Sequence, residues 1–304
     1  MKKLTFNDPH FINMLELNLR HKIGNSLKIL SFKPQYGGDI NTSFKLETSR
    51  GDFFIKLNDA NIYPGMFEKE ARGLETLRAT RTVYVPQVIL TGEADHVAYL
   101  VLEYIENDGK KDTRFWQNFG RKLAALHRHT NTYYGFEEDN YIGSLIQINT
   151  PDTSWANFYI EKRLKYQLKL ALNKGLFSPE DAELFEELYE RLPHILPEEL
   201  PHLLHGDLWA GNFLTNRRHG PVLIDPAVYY GSREVDLAMT LLFGGFTDEF
   251  YAAYHEAFPL QPGWQSRMHI YQLYPLLVHA NLFGGSYVQS VMRKLRLILK
   301  EYGK

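Results

Sequence analysis

Three polar residues in the second half of the chain are of the types that phosphoryl transfer uses. The segment LLHGDLWAGN occupies residues 203–212, and VLID follows at residues 222–225. Asp207 lies five residues before Asn212 and eighteen before Asp225. One carboxylate can accept a hydroxyl proton, while an amide oxygen and a second carboxylate can hold magnesium beside phosphate oxygens. The spacing predicts Asp207 as the proton acceptor and Asn212 with Asp225 as metal ligands.

The order of these residues decides between two interpretations of the loop. An isolated His-Gly-Asp triplet is most often a turn in which the acid caps backbone amides. Here the order from His205 to Asn212, followed by Asp225, matches the pattern HxDxxxxN and a later Asp of a kinase catalytic loop. We assign His205 to support of this loop. A phosphohydrolase that uses the same acids stays open until the upstream segment is considered.

A lysine upstream supplies what a kinase needs and a hydrolase does not. Lys56 lies in FFIKL, and a kinase lysine contacts the α- and β-phosphates of ATP and pairs with an acid on the next helix. Glu68 and Glu70 are the candidates. At about 100° per residue, Glu70 falls at the margin of the apolar stripe of that helix and Glu68 points away from it. The spacing therefore favours Glu70.

Two further segments are candidates for nucleotide contacts. In YLVLEYIEN an apolar strand leads into Glu103, Tyr104 and Ile105, where the backbone of a kinase hinge would meet adenine. Residues 35–43 read QYGGDINTS and contain Gly37 and Gly38, but neither GxGxxG nor a Walker A lysine motif. A glycine turn over the phosphates and an uninvolved hairpin turn are both open interpretations.

The elements that must position these residues change character along the chain. Residues 43–48 and 53–57 predict a hairpin, residues 97–104 another strand, and residues 67–78 a helix between them. Helical patterns dominate beyond residue 110, where Ser178-Pro179 opens a capped helix, and the chain from Asp236 onward is mainly helical. We expect an α+β, bilobal, protein-kinase-like fold. Its small β-rich lobe would span residues 1–106 and its larger, mainly helical lobe residues 107–304, with a cleft for a small molecule.

Composition excludes several classes of protein. The 304 residues include 34 Lys plus Arg and 36 Asp plus Glu, a net charge of -2 that gives no broad field for nucleic acid or an anionic membrane. The chain has no cysteine, which excludes disulfides, thiol nucleophiles and Cys-type zinc sites. The first apolar stretch breaks at Asn7-Asp8-Pro9, and no run reaches the roughly 18 apolar residues of a membrane span. These features predict a cytoplasmic enzyme with neither a nucleic-acid nor a membrane partner.

Longer stretches of the chain resemble the fructosamine kinase family, also called ketosamine-3-kinases, of the aminoglycoside phosphotransferase and choline kinase branch. Trp209 inside the catalytic loop and Asp-Pro at 225–226 look like this family rather than its antibiotic-modifying relatives. The stretches that carry the resemblance are MFEKEARGL at 66–74, GFEEDNYIGS at 135–144, HGDLWAGN at 205–212, IDPAVYYGSREVDLAMTLLFGGF at 224–246 and LLVHANLFGGSY at 276–287.

The resemblance implies phosphorylation, by ATP and Mg²⁺, of the C3 hydroxyl of a ketosamine, the sugar adduct that glycation leaves on an amine. The labile product frees the amine, so the family serves deglycation, and bacterial-looking members prefer ribulosamines or erythrulosamines to fructosamines. The absence of cysteine excludes redox control through a phosphate-loop cysteine. By matching position, the resemblance gives catalytic, metal and phosphate roles to Asp207, Asn212, Asp225, Lys56 and Glu70, and makes residues 103–105 the adenine-binding hinge.

Substrate contacts follow from position. Trp209, two residues from the predicted proton acceptor, is placed to pack its indole against the sugar. His279 and Asn281 lie in an apolar, helix-like run, where a polar residue is more often a satisfied core group; of the two we assign His279 to the substrate. Asp236 is expected to buttress the catalytic loop by accepting hydrogen bonds, with Arg233 as its neighbour.

Three alternatives remain at this point. The first is a kinase of another small molecule, such as an aminoglycoside, choline or homoserine. The second is a non-catalytic ATP-binding pseudokinase, although such proteins typically lose the lysine, base or metal ligand that this chain retains. The third is the metal-dependent phosphohydrolase, which does not explain Lys56 with Glu70 or the hinge. The sequence does not set the oligomeric state.

Overall fold

The structure is a computed structural model that describes residues 8–35 and 40–303. The structure contains eleven α-helices in the described residues, and a π-helical segment, Tyr159–Lys165, lies between the fourth and the fifth. The helices are α1 Pro9–Ile23, α2 Met66–Ala79, α3 Thr113–Leu126, α4 Trp155–Phe158, α5 Tyr166–Asn173, α6 Pro179–Ile195, α7 Glu234–Leu242, α8 Asp248–Ala257, α9 Trp264–Tyr271, α10 Leu273–Phe283 and α11 Ser286–Glu301. The strands are β1 Ile29–Gln35, β2 Thr42–Thr48, β3 Gly51–Asp59, β4 Val88–Ala94, β5 Val97–Glu103, β6 Asn140–Ile142, β7 Leu145–Gln147, β8 His202–Leu204, β9 Phe213–Asn216, β10 Gly220–Leu223 and β11 Tyr229–Gly231.

A five-stranded antiparallel sheet in the order β1-β2-β3-β5-β4 organises the first part of the chain. Strand β3 lies at its centre, where Ile55 pairs with Phe44 of β2 and with Val101 of β5. Because side chains alternate between the faces of a strand, Ile55 and Leu57 share the face that joins the buried apolar cluster of α1. Lys56, between them, points to the opposite face.

Helix α1 is an element that our sequence analysis did not predict. It packs Phe11, Leu15 and Leu19, at helical spacing, into the apolar cluster of the sheet. Asp8 caps its first turn by accepting from the amide of His10, and Pro9 occupies the first helical position. The Asp-Pro pair that we used only to exclude a signal peptide is therefore also a helix start.

The elements predicted from periodicity are confirmed. The hairpin forms as β2 and β3, the predicted strand at 97–104 is β5, and the helix at 67–78 is α2. Ser178 caps α6 through the expected capping box with Asp181. The chain beyond Asp236 is mainly helical, from α7 to α11.

The second part of the chain is built from helices and short two-stranded pairings. Strand β8 pairs with β11, and β6 pairs with β7. Helix α3 packs closely against α8, where Gly120 permits the approach: a Cβ there would lie 2.2 Å from the carbonyl oxygen of Phe250. Helix α10 packs against α11 and α5.

The chain divides into two compact units, and each unit consists of two separate stretches of sequence. The first comprises Met1–Lys110 with Phe213–Asp225, and the second comprises Lys111–Asn212 with Pro226–Lys304. The segment Phe213–Asp225 joins the first unit through backbone pairing that is distant in sequence. The Gly109 amide donates to the Thr215 carbonyl at 2.7 Å, and the Leu223 amide donates to the Tyr84 carbonyl at 2.9 Å.

No helix within the described part of the chain has both the length and the apolar character that crossing a bilayer requires.

Strand β8 carries a buried histidine, His202, whose ring meets Phe258 edge to face. Burial lowers its pKa to about 4, helped by the nearby His127 and Arg233 and opposed by Glu199. In the unfolded chain a histidine takes up a proton near pH 6.5. Between pH 6.5 and 4 the unfolded state therefore binds a proton at this histidine that the native state does not bind. The free energy of unfolding consequently falls as the pH drops through this range.

We predict that His202→Gln flattens the dependence of the free energy of unfolding on pH. In the wild type this one group contributes a loss on the order of 3 kcal/mol between pH 6.5 and 4, which the variant lacks. Urea unfolding of both proteins at several pH values measures the two slopes. Equal slopes would show that burial does not lower the pKa of His202 in the native state.

Candidate active site

The first unit places a lysine ammonium between two carboxylates. Lys56 lies on the central strand β3, where Leu100 and Ser43 are its neighbours across the sheet, and only 4% of the residue is exposed. Its Nζ lies 2.7 Å from Oε1 of Glu70 and 2.7 Å from Oδ1 of Asp225. Lys56 is thus a paired cation on an interior strand, and not a lysine that lines a sheet edge in water.

The structure agrees with the choice of Glu70 over Glu68. Helix α2 packs against β4 and β5 through Phe67, Ala71 and Leu74. Glu70 lies beside this buried stripe and reaches Lys56, whereas Glu68 is exposed.

The two carboxylates decide the charge of Lys56. Burial alone would lower its pKa, because an ammonium loses its hydration in the core. Asp225 and Glu70 overcome this effect, and the pKa is raised above its ordinary value. Lys56 therefore stays protonated throughout the physiological range.

Asp225 adopts an unusual backbone conformation just after β10. Its φ is 53°, in the left-handed region, which aspartate tolerates better than most residues. Such backbone strain is concentrated at functional sites. Its side chain is 40% exposed although one oxygen accepts from Lys56, so the carboxylate faces both the buried ammonium and the surface of the unit.

The predicted hinge lies at the end of β5. The carboxylate of Glu103 accepts from the hydroxyl of Tyr84 at 2.8 Å and from the amide of Gln87 at 3.1 Å. The ammonium of Lys45 lies 4.5 Å from the ring centre of Tyr104. The side chain of Glu103 is therefore engaged within its own unit. Gly37 and Gly38, the candidates for the phosphate turn, lie outside the described residues.

In the second unit, backbone hydrogen bonds hold the loop that carries Asp207. The amides of His205 and Gly206 donate to the two oxygens of Asp236 at 2.8 and 2.9 Å, and the amide of Asp207 donates to Nδ1 of His205 at 3.2 Å. Asp236 is fully buried. Burial would raise its pKa, but the hydrogen bond from His127 and the Gly206 amide lower it below the ordinary value. Asp236 is the buttress that the sequence predicts.

Asn212 lies against Asp207. Its Nδ2 donates to the backbone oxygen of Asp207 and to the carboxylate Oδ2, both at 2.9 Å. These two hydrogen bonds hold the Asn212 side chain against both the backbone and the carboxylate of Asp207. Since Nδ2 is a donor here, a cation at Asn212 would be bound by Oδ1.

Gly206 is required by the packing of this loop. Its φ is 83°, and a Cβ at this position would lie 2.0 Å from the carbonyl oxygen of Ala227. The Ala227 amide in turn donates to the His205 carbonyl at 2.9 Å. The loop and the segment that leads into β11 are therefore in backbone contact.

The predicted substrate residues occupy one surface of the second unit. Trp209 is 38% exposed and meets Phe243 edge to face, and Phe243 meets His279, whose Nδ1 is bonded to the Pro275 carbonyl at 2.7 Å. Asn281 is instead a core group that donates to Gln167.

The expected neighbour of Asp236 was wrong. Arg233 binds Glu199 at 3.0 Å and the carbonyls of Phe258 and Pro259, because its guanidinium faces that segment. Asp236 instead pairs with the side chain of His127, whose Nε2 lies 3.1 Å from Oδ2.

Comparison with known proteins settles the family. The model of the family described as fructosamine kinase matches residues 12–301 of this chain. The chain belongs to the fructosamine kinase family. A probable ketoamine kinase of Synechocystis sp. is 40% identical over 295 residues, which cover 97% of this chain and 99% of the relative. The chloroplastic protein-ribulosamine 3-kinase of Arabidopsis thaliana is 40% identical over 275 residues, 88% of this chain and 82% of the relative.

Solved structures show the same kinship. A provisionally named fructosamine-3-kinase of Thermobifida fusca has a TM-score of 0.85 at 34% identity and covers 95% of this chain and 99% of that one. An aminoglycoside phosphotransferase in a ternary complex with AMP-PNP and hygromycin B has a TM-score of 0.62 at 15% identity, covering 94% and 98%. At that identity the likeness shows the fold alone. The predicted family and the α+β, kinase-like fold are confirmed, and this fructosamine kinase family member is a phosphotransferase.

Sequence reasoning missed a buried network that holds the segment leading into β11, beside the loop that carries Asp207. Asn140 donates to the Val228 carbonyl at 2.8 Å, and Gln147 donates to the Ala227 carbonyl at 3.0 Å. The π-helical segment contributes Arg163, which reaches this network through Asn149 at 2.8 Å. The signal was the family stretch GFEEDNYIGS, which contains Asn140, together with polar residues recurring in a short apolar hairpin.

We predict that Gly206→Ala destabilises the protein far more than Gly175→Ala does. Both glycines have positive φ, 83° and 68°, but a Cβ at Gly175 meets nothing within 4 Å. Positive φ alone costs about 1 to 2 kcal/mol for alanine, and the contact with Ala227 adds a steric cost of about 1 to 3 kcal/mol. Chemical denaturation of both variants measures the difference, and equal losses would contradict the described packing of the loop.

Proposed function

We propose that the chain transfers the γ-phosphoryl group of ATP, with magnesium, to the C3 hydroxyl of a ketosamine. The acceptor is a ribulosamine, erythrulosamine or fructosamine adduct, and the reaction serves deglycation. The observation that carries the kinase part is the buried Lys56 ammonium, 2.7 Å from each of Glu70 and Asp225. A phosphohydrolase has no need of this pair. The relatives named ketoamine kinase and ribulosamine 3-kinase support the acceptor.

In this proposal Asp207 is the general base. As the C3 oxygen attacks the γ-phosphorus, its proton passes to the Asp207 carboxylate, and the bond from the γ-phosphorus to the bridging oxygen of ADP breaks. Asn212 positions the carboxylate of Asp207 by donating to Oδ2 at 2.9 Å. Asp236 positions the backbone of the same loop by accepting from the amides of His205 and Gly206. Lys56, held by Glu70, contacts the α- and β-phosphates.

In this proposal Asn212 and Asp225 would each offer an oxygen ligand to magnesium. Asn212 offers Oδ1, and Asp225 offers a half-exposed carboxylate, which are the oxygen ligands that magnesium prefers. Within residues 8–35 and 40–303 no three His, Asp or Glu side chains are grouped to hold a metal. Magnesium usually keeps several waters and binds one or two protein oxygens together with substrate phosphates. When bound, it neutralises charge on the phosphates.

The remaining assignments stay predictions within this proposal. Tyr104 and Ile105 would offer backbone groups to adenine, while the Glu103 side chain serves Tyr84 and Gln87. Gly37 and Gly38 would cover the phosphates, and Trp209 with His279 would meet the sugar. A cytoplasmic location also stays a prediction, and the Arabidopsis relative is named chloroplastic.

The activity is tested by giving the purified protein magnesium-ATP with ribulose-lysine, fructose-lysine or an aminoglycoside. We expect phosphorylation of a ketosamine at C3, identified by ³¹P NMR. Asp207→Asn should lower the rate by about 10²- to 10⁴-fold, because a general base contributes on that scale, while the affinity for magnesium-ATP survives. Asp248→Asn, an exposed aspartate at the start of α8, is the matched control and should keep full activity.

Two outcomes would contradict the proposal. Phosphorylation of the aminoglycoside alone would show that the acceptor is an aminoglycoside and not a ketosamine. Normal turnover by Asp207→Asn would remove Asp207 from the chemistry, whatever the substrate proves to be.

A further inference from the structure

Two helices of the second unit end in the same tripeptide. Phe243-Gly244-Gly245 follows α7, and Phe283-Gly284-Gly285 ends α10. All four glycines have positive φ, from 56° to 88°. Since glycine adopts this conformation at little cost, each helix can stop abruptly and leave its phenylalanine at the surface.

The two phenylalanines belong to one continuous series of rings, which we call the aromatic shelf. Ring centroids are 6.2 Å apart for Trp209 and Phe243, 4.9 Å for Phe243 and His279, and 5.7 Å for His279 and Phe283. Tyr287 of α11 completes the series, 5.0 Å from His279. The members are Trp209, Phe243, His279, Phe283 and Tyr287.

The shelf is a surface and not a core. Trp209 and Phe243 are each 38% exposed, and Phe283 is 53% exposed. Single exposed apolar residues are ordinary, but contiguous exposed apolar rings mark sites of binding.

The catalytic loop forms one end of the shelf. Trp209 is two residues from Asp207, and its ring covers Gly211, where a Cβ would lie 2.3 Å from the indole. The first Gly-Gly turn also abuts the loop, since a Cβ at Gly245 would lie 2.7 Å from the Cβ of Ala210. The shelf therefore begins on the loop that carries Asp207.

The chemistry of the rings suits a cation on an alkyl chain. Burial lowers the pKa of His279 below its ordinary value, so the imidazole is neutral at pH 7. Its Nδ1 faces the Pro275 carbonyl, which makes Nδ1 the donor and Nε2 the acceptor. Aromatic faces attract ammonium groups and also pack against methylenes.

A ketosamine presents these groups in the right order. Its nitrogen is attached to C1, two carbons from the hydroxyl that reacts, and as a secondary amine it is protonated at neutral pH. With the C3 hydroxyl at Asp207 and the sugar at Trp209, the shelf offers a surface along which the nitrogen and its substituent can extend.

We propose that the aromatic shelf binds the amine side of the ketosamine, its secondary ammonium and the aliphatic chain beyond. This inference rests on the proposed function. Phe283 and Tyr287, the rings furthest along the series from Trp209, then select adducts on long alkylamines, such as a lysine side chain, over adducts on short amines.

The test compares kcat/KM for the ribulose adducts of Nα-acetyl-lysine and of methylamine. In Phe283→Ala and in Tyr287→Ala the ratio of lysine adduct to methylamine adduct should fall by about tenfold, the scale of a lost aromatic contact with a cationic chain. Phe283→Trp, which retains a ring, should keep the ratio. Leu297→Ala is the matched control, because Leu297 is 45% exposed on the helix that carries Tyr287 and lies outside the shelf.

Two results would overturn the inference while leaving the proposed function standing. One is an unchanged ratio in both alanine variants, and the other is an equal fall in Leu297→Ala. If the wild type phosphorylates neither ribulose adduct, the test is repeated with the fructose adducts of the same two amines, and a wild type that phosphorylates no ketosamine overturns both the proposed function and this inference.

Discussion

The ammonium of Lys56 is the charge around which the first unit is organised. Removing an ammonium from water costs several kcal/mol, which nearby opposite charges must offset. Glu70 from α2 and Asp225 after β10 supply them, each at 2.7 Å. Three segments far apart in sequence must therefore meet at one atom, and this requirement explains why Phe213–Asp225 joins the first unit.

The second unit depends on a different constraint, the backbone of the catalytic loop. Asp236 accepts hydrogen bonds from two successive amides of this loop. The carbonyl oxygen of Ala227 lies so close to Gly206 that a side chain would not fit there. The amide network of Asn140 and Gln147 fixes the segment that contains Ala227. The position of Asp207 is thus set by buried hydrogen bonds, whose partial loss would leave unsatisfied groups in the core.

Local patterns in the sequence predicted local features well. Helical periodicity was enough to choose Glu70, because the spacing of apolar residues within α2 already shows which face of the helix is buried. Residue types and spacing singled out Asp207 and Asn212, which the structure brings into contact. Pairings between side chains that are far apart in the sequence were missed or predicted wrongly, because no local pattern of residues encodes them. Examples are the pairing of Arg233 with Glu199 and that of His127 with Asp236.

The central claim is that Lys56 and Glu70 act as one unit on the nucleotide. A double-mutant cycle with Lys56→Met and Glu70→Gln, read as the Kd for magnesium-ATP by calorimetry, tests it most directly. Each single substitution should weaken binding by about tenfold, and the double variant should bind no more weakly than Lys56→Met alone. The exposed Glu68→Gln on the same helix should leave the Kd unchanged. Losses that multiply in the double variant would contradict the claim, because Glu70 would then act independently of Lys56.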